Sequence, residues 1–350
     1  MRVRDRDAPV SKEGLIFRVY GYDHPEDACF CDLEYAPEEV YSSEISKSIR
    51  ALGERKFFKF YFDKGLKFVY DHFPEYQVWH SPLNQMLVGL KEEQITRVVR
   101  PDKRLEEILA LKEDPLLEEV NLILEHIFNI SSLDSRDFGV FGSISHGFHN
   151  PKFSDIDLII YGKRGLKELK EALKSLYRED LLSNEFDEWS VEMPPLHWNF
   201  TKYSKKEYGW HQRRKLVYAI KMSERLGRKI KIEFEPVRRW DEIRNEYDDI
   251  LKIEKLGRVE TTVNIISDED SGFMPSIYIV EPFRIDSNVA IEDVERVISF
   301  MEEFRMQVKT GEKAYICGRL ERVETRKRCF NQITLSRGDD YFDQVIKVIK

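Results

Sequence analysis

The sequence predicts an α+β chain, a mixed sheet carrying helices and flanked by β-rich segments on either side. Three observations predict it. Short apolar runs at residues 138–141, 155–161 and 230–237 read as buried strands, with helical patterns before and between them. Before residue 101 and after residue 256 the chain is dominated by strand-like runs broken by turn residues. At 350 residues, 41% of them apolar, it is also longer than one hydrophobic core usually fills. The expected division is a β-rich part with some helix at 1–100, the mixed-sheet core at 101–255, and a small α+β or barrel-like part at 256–350.

In the first part, residues 14–22 and 28–35 flank a turn through Asp23, His24 and Pro25, which is a hairpin pattern. The aromatic-rich stretches 57–76 and 79–90 read as core. Pro101 marks the next boundary, and helices are expected at 104–111 and 116–130, the second with apolar residues at 116, 117, 120, 122, 123, 124 and 127. Two more helices are expected at 166–177 and 213–226, between the second and third core strands. In the last part the pattern predicts strands at 259–266, 276–283, 314–323 and 331–335, and a helix at 291–306.

The formal charge of −8 does not describe a protein coated in nucleic acid, yet the charge is uneven. Between residues 201 and 240 there are 13 Lys or Arg against four Glu, with Tyr203, Tyr208, Trp210 and Tyr218 among them. Cations interleaved with aromatic rings can grip a triphosphate or follow a polynucleotide, and a solvated face looks the same. A second basic run, residues 318–328, places five cations on an expected hairpin. Together these segments are the expected surface for an RNA or DNA acceptor.

No apolar run of 18 residues occurs and no apolar stretch near Met1 resembles a secretory signal, so a cytoplasmic protein without a membrane partner is expected. The four cysteines form no CxxC pair and are expected to be buried thiols; a zinc site of Cys29, Cys31 and His24 lacks a fourth ligand.

Chemistry concentrates between residues 138 and 161. A strand ends at Gly142-Ser143, where a residue without Cβ lets the backbone approach a ligand and the following helix offers N–H groups to phosphate. Eleven residues later come Asp155 and Asp157, which strand alternation puts on one face, with Ile156 and Leu158 on the other. Two adjacent carboxylates repel unless cations bind. Mg²⁺ suits them, Mn²⁺ being the alternative, and two ions about 3.5 to 4 Å apart would clamp the attacking and leaving oxygens of an in-line displacement. Such a site needs a further carboxylate, and the alternating run Ile230-Lys-Ile-Glu-Phe-Glu235 offers Glu233 or Glu235, of which Glu233 is favoured.

Phe141-Gly142-Ser143, eleven residues and Asp155-Ile156-Asp157-Leu158 resemble the signature of the DNA polymerase beta nucleotidyltransferase superfamily, in the form closest to its small microbial members. The resemblance implies a nucleotidyltransferase-like mixed sheet. It implies transfer of a nucleotidyl group from a nucleoside triphosphate to a hydroxyl, with release of pyrophosphate. It implies Gly142 and Ser143 as nucleotide-binding residues, and Asp155, Asp157 and Glu233 as catalytic, metal-binding carboxylates. In the family the third carboxylate lies on a later strand with a proline shortly after it, which maps onto Glu233 ahead of Glu235-Pro236. The chain departs from the family in three places: His146 stands where small members often have Arg, Glu233 replaces the usual Asp, and 75 residues separate Asp157 from Glu233. His146 and His149 are candidates either to bind phosphate or to cap a turn, and the structural role is the favoured expectation. The other reading is a catalytically silent nucleic-acid-binding protein on the same fold; there is no Walker-type or Gly-x-Gly-x-x-Gly nucleotide motif.

Overall fold

Short runs of alternating apolar residues, each closed by a turn, build residues 8–99 into one sheet. In the computed structural model, which describes residues 2–45, 48–61, 64–111, 114–187, 200–284, 294–338 and 340–349, the strands are β1 (Ala8–Ser11), β2 (Ile16–Val19), β3 (Ala28–Pro37), β4 (Ile49–Leu52), β5 (Arg55–Lys59), β6 (Gln77–His80), β7 (Gln85–Lys91) and β8 (Ile95–Val99). They run in the order β4-β5-β3-β2-β1-β8, with β7 also on β3 and β6 on β7. The expected hairpin through Asp23 is the antiparallel pair β2–β3. Helix α1 (Lys64–His72) contributes Val69 to a core of Leu15, Phe17, Val19, Leu33 and Leu90. The aromatic residues Phe60, Phe68, Phe73 and Tyr76 pack into or against that core, as the aromatic-rich stretch suggested.

A second sheet follows. Helices α2 (Pro101–Leu109) and α3 (Pro115–Ile130) lead into β9 (Phe138–Val140), α4 (Gly142–Ser145), β10 (Ile156–Tyr161), α5 (Gly162–Arg178), β11 (Tyr218–Ser223) and β12 (Arg228–Val237). Helix α3 starts where Asp114 accepts hydrogen bonds from the Leu116 and Leu117 N–H groups and Pro115 fills the first turn. It buries Leu116, Leu117, Val120, Ile123, Leu124 and Ile127, the helical spacing that predicted it. Helix α5 buries Leu166, Leu169, Leu173 and Leu176 in the same way, each such side chain contributing roughly 1.5–3 kcal/mol of burial. The strand order is β11-β12-β10-β9, with β10 and β12 parallel and the other pairs antiparallel.

One expected helix is absent. Residues 213–226 do not form it: α6 (Lys205–Arg213) ends where it would begin, and 218–223 are strand β11, hairpinned onto β12. The run Val217-Tyr-Ala-Ile220 buries Val217 and Ala219 and leaves Tyr218 and Ile220 half-buried, which is the two-residue period of a sheet.

The strands from residue 250 onward build a barrel. They are β13 (Ile250–Asp270), β14 (Ser276–Arg284), β15 (Val294–Ser299), β16 (Lys313–Thr325), β17 (Cys329–Leu335) and β18 (Val345–Val348). The order β13-β14-β15-β17-β16 closes through β13–β16 pairing, with β18 added to β16. Closure leaves no bare edge between those five strands, and Val263, Tyr278, Val297, Ile316, Leu320 and Ile333 fill the interior. The helix expected at 291–306 is corrected here. Residues 291–293 lie outside the described residues, Val294–Ser299 is a strand parallel to β17, and only Glu302–Phe304 forms a short 3₁₀ turn. Val294, Val297, Ile298 and Met301 carry a helix-like spacing, but the β-branched residues close the barrel as its middle strand.

The described chain separates into two units, Met1–Val78 with Met86–Glu185 and Leu216–Arg244, and Trp79–Gln85 with Phe186–Lys215 and Asn245–Lys350. The first contains the four-stranded sheet together with most of the sheet of residues 8–99; the second contains the barrel. Among the described residues no helix is long and apolar enough to cross a membrane.

Candidate active site

Strand β9 delivers the chain to a turn held tightly against β10. The Phe141 N–H donates to the Asp157 carbonyl at 3.1 Å. Gly142 follows with φ +63°, a left-handed conformation that L side chains rarely adopt. A Cβ on Gly142 would lie 2.4 Å from Asp157 Oδ2. The glycine is therefore the residue that lets the carboxylate of Asp157 sit directly on the backbone of the turn. The turn closes on itself, Ser145 Oγ donating to the Gly142 carbonyl at 2.9 Å and the Phe148 N–H to the Ser143 carbonyl at 2.8 Å. The helix expected after Ser143 amounts to one turn, Gly142–Ser145.

Asp155 and Asp157 lie on one face at the start of β10, while Ile156 and Leu158 are fully buried on the other. The parallel pairing with β12 sets Asp157 beside Glu233 and Ile159 beside Glu235. Strand alternation thus collects Asp157, Glu233 and Glu235 on a common face. Burial pushes the Asp157 carboxyl up to about 7; the Lys59 ammonium opposes the shift, and Asp155, Glu235 and Glu34 add to it. A carboxylate so poor in compensating charge suits a cation.

The two glutamates differ in what surrounds them. Glu233 is partly exposed, whereas Glu235 is buried and its Oε2 accepts from Arg6 Nη2 at 2.8 Å. Arg6 is itself buried and belongs to the segment before β1, which also packs Arg4 over the rings of Tyr161 and Trp240. Removing the cation strands a buried carboxylate, which typically costs 3–5 kcal/mol. The melting temperature of Arg6→Met is accordingly expected to fall by about 10 °C. A calorimetric scan within ~2 °C of the parent would show that the pair contributes little.

Among the described residues no three Asp, Glu, His or Cys side chains converge closely enough to hold one metal ion. Asp155 and Asp157 nonetheless supply the donor set Mg²⁺ commonly uses, one or two carboxylates completed by substrate phosphates. The residues fit that ion with nucleotide present.

His146 lies between the rings of Tyr35 and Phe148, at 5.5 Å from each, and burial pulls its pKa down to about 4. It is a neutral packing residue and supplies no charge where small family members often carry Arg. His149 Nε2 stands 3.0 Å from Asp114 Oδ2, against the carboxylate that caps α3. Cys29, Cys31 and Cys317 are buried free thiols and Cys329 is exposed. Burial and the neighbouring Cys29 push the Cys31 thiol up, and His24 Nδ1 accepts from the Phe30 N–H, so these three groups are not arranged as zinc ligands.

The basic stretch 201–240 is divided between the two units. Its residues up to Lys215 fall in the barrel unit and those from Leu216 in the sheet unit. Much of its charge is paired: Lys202 with Glu260, Arg213 with Asp187, Arg214 with Glu312, Lys221 with Glu119, Arg225 with Glu118, Lys231 with Glu185 and Arg239 with Asp137. Arg228 donates to the carbonyls of Pro151 and Ser154 and so fixes the loop entering β10. In the second basic run Arg319 pairs with Asp340 and Arg328 with Glu295. Arg326, Lys327 and Arg328 remain exposed on the β16–β17 turn.

Sequence reasoning missed Arg6, Glu34 and Lys59, which lie about 100 to 150 residues before Asp157 and act on the carboxylate face. No local pattern marks them. The charged run Arg4-Asp5-Arg6-Asp7 is visible in the sequence, but its burial, unusual for charged residues, is not.

Residues 117–268 match the family model of a nucleotidyltransferase domain. An uncharacterized protein of Methanocaldococcus jannaschii is 28% identical over 353 residues, an alignment covering 99% of each chain. No solved structure matches significantly. The turn of Gly142 on Asp157, the parallel carboxylate strands and the family match agree: residues 117–268 are a nucleotidyltransferase domain of the DNA polymerase beta-type superfamily.

Proposed function

We propose that the protein is a divalent-metal-dependent nucleotidyltransferase that moves a nucleotidyl group from a nucleoside triphosphate to a hydroxyl of an RNA acceptor. The observation that carries this reading is the contact of Gly142 with Asp157, which brings backbone and carboxylate together at the end of β9. Asp155 and Asp157 would hold Mg²⁺ or Mn²⁺, which when bound would neutralise phosphate charge and lower the pKa of an attacking hydroxyl. Glu233 is the third carboxylate of this reading, because the β10–β12 register sets it directly beside Asp157 while Glu235 stands beside Ile159. Gly142 and Ser143 bind the nucleotide through the open backbone of the turn. The exposed Arg326-Lys327-Arg328 turn is the surface assigned to the polynucleotide.

Labelled nucleoside triphosphates incubated with the full chain, Mg²⁺ or Mn²⁺ and total RNA test the reading. Metal-dependent label in RNA with pyrophosphate release is expected, and EDTA should abolish it. With three cations at the turn, RNA affinity should fall with salt at a log-log slope near −2, at about −0.7 per single-strand phosphate. Salt-sensitive RNA binding without turnover would instead support the silent binding protein, and label in protein or a small molecule would replace the acceptor.

A further inference from the structure

We propose that Lys59, on the sheet of residues 8–99, is a phosphate-binding residue of the nucleotidyl-transfer site, so that this sheet forms a working wall of the site. The inference rests on the nucleotidyltransferase reading above and supplies something the turn itself lacks. A triphosphate brings several negative charges to Gly142-Ser143, and the position where small family members often carry Arg is here the neutral, packed His146.

The face of the sheet is fixed by its register and its aromatic residues. Tyr35 of β3 pairs with Lys59 of β5, and Phe57 lies two residues before Lys59. The Tyr35 ring meets His146 at 5.5 Å and Phe148 at 5.2 Å, and the Phe57 ring meets Phe148 at 4.6 Å. Ala8, Val10 and Ile16 complete this cluster around Phe148. The face that bears Lys59 is therefore clamped onto the segment directly after the Gly142-Ser143 turn.

On that face Lys59 is placed for a ligand. Its Nζ lies 3.7 Å from Glu34 Oε1 and 5.8 and 5.9 Å from the ring centroids of Tyr35 and Tyr61. It is the strongest charge acting to keep Asp157 ionised, yet among the described residues Lys59 and Asp157 form no direct ion pair. A phosphate brought to Asp157 together with a metal ion would add a second anionic partner for the same ammonium. Arg6 is held by Glu235 at 2.8 Å, a much closer pairing than the 3.7 Å between Lys59 and Glu34. Tyr35 is completely buried beneath Lys59, and its hydroxyl has no hydrogen-bond partner among the described residues.

Titration calorimetry of the full chain with inorganic tripolyphosphate and Mg²⁺ tests the proposal without requiring turnover. Lys59→Met should weaken binding about ten- to a hundredfold, the usual size of a charge-assisted contact, and Lys59→Arg should restore most of it. Glu34→Gln carries the opposite expectation. It releases the ammonium from its carboxylate and should tighten binding several-fold; it also serves if Lys59→Met does not fold. If Lys59 only neutralised Glu34, neither variant would change tripolyphosphate affinity, and that result overturns the proposal while leaving the nucleotidyltransferase reading intact. A parent that binds no tripolyphosphate with Mg²⁺ overturns both.

Discussion

Asp157→Asn should lower turnover at least a thousandfold while leaving the fold intact, an effect of about 4 kcal/mol on the transition state at 1.36 kcal/mol per tenfold. The carboxylate is the group that the Gly142 turn is built around, and the amide keeps its size while losing the charge that serves a cation. Stability should respond in the other direction or not at all. Burial and the carboxylates of Asp155, Glu235 and Glu34 all make the ionised form costly, so removing the charge relieves that cost; losing the attraction to Lys59 offsets part of the gain. Steady-state rates with the best labelled triphosphate, measured beside a thermal scan, check both halves. Activity within about tenfold of the parent would contradict the role given to Asp157.

The core of this site was legible because its chemistry is local. Gly142, Ser143, Asp155 and Asp157 fall within sixteen residues, and the alternation of Ile156 and Leu158 against the two aspartates fixes which face each occupies. Helices α3 and α5 were legible for the same reason, since each buries one unbroken apolar stripe. The errors came where periodicity and tertiary demand diverge. Val294, Val297, Ile298 and Met301 satisfy a helical spacing, but a barrel that closes through β13 and β16 needs a strand between β14 and β17. The ion pairs of the basic stretch were not legible either, because sequence shows charges and not their partners; Glu260, Glu312, Glu119, Glu118 and Asp137 lie far from it in the chain. Arg6 and Lys59 were invisible for the converse reason. Their meaning depends on Glu235 and Asp157, reached only after the two sheets of the first unit come together.

The second large effect is expected at the turn itself. Gly142→Ala meets two separate obstacles, a left-handed φ of +63° and a Cβ position 2.4 Å from Asp157 Oδ2. The first is backbone strain of order 1 kcal/mol for an L residue. The second cannot be absorbed by a flexible side-chain end, because the atom in the way belongs to the carboxylate that the site needs. Either Asp157 turns away or the turn opens, and turnover should fall about a hundredfold or more, since a misplacement near 1 Å commonly costs that much. Gly147→Ala separates strain from collision. Its φ is +71°, so the backbone cost is similar, but its Cβ would meet only Leu52 Cδ1 at 3.3 Å, a side-chain methyl able to move. Both variants should lose comparable stability in a denaturant titration, yet only Gly142→Ala should lose most of its activity and its metal-dependent triphosphate binding. Equal rates for the two would mean that the approach of Gly142 to Asp157 has no catalytic consequence, and the site would have to be rebuilt around a different placement of the nucleotide.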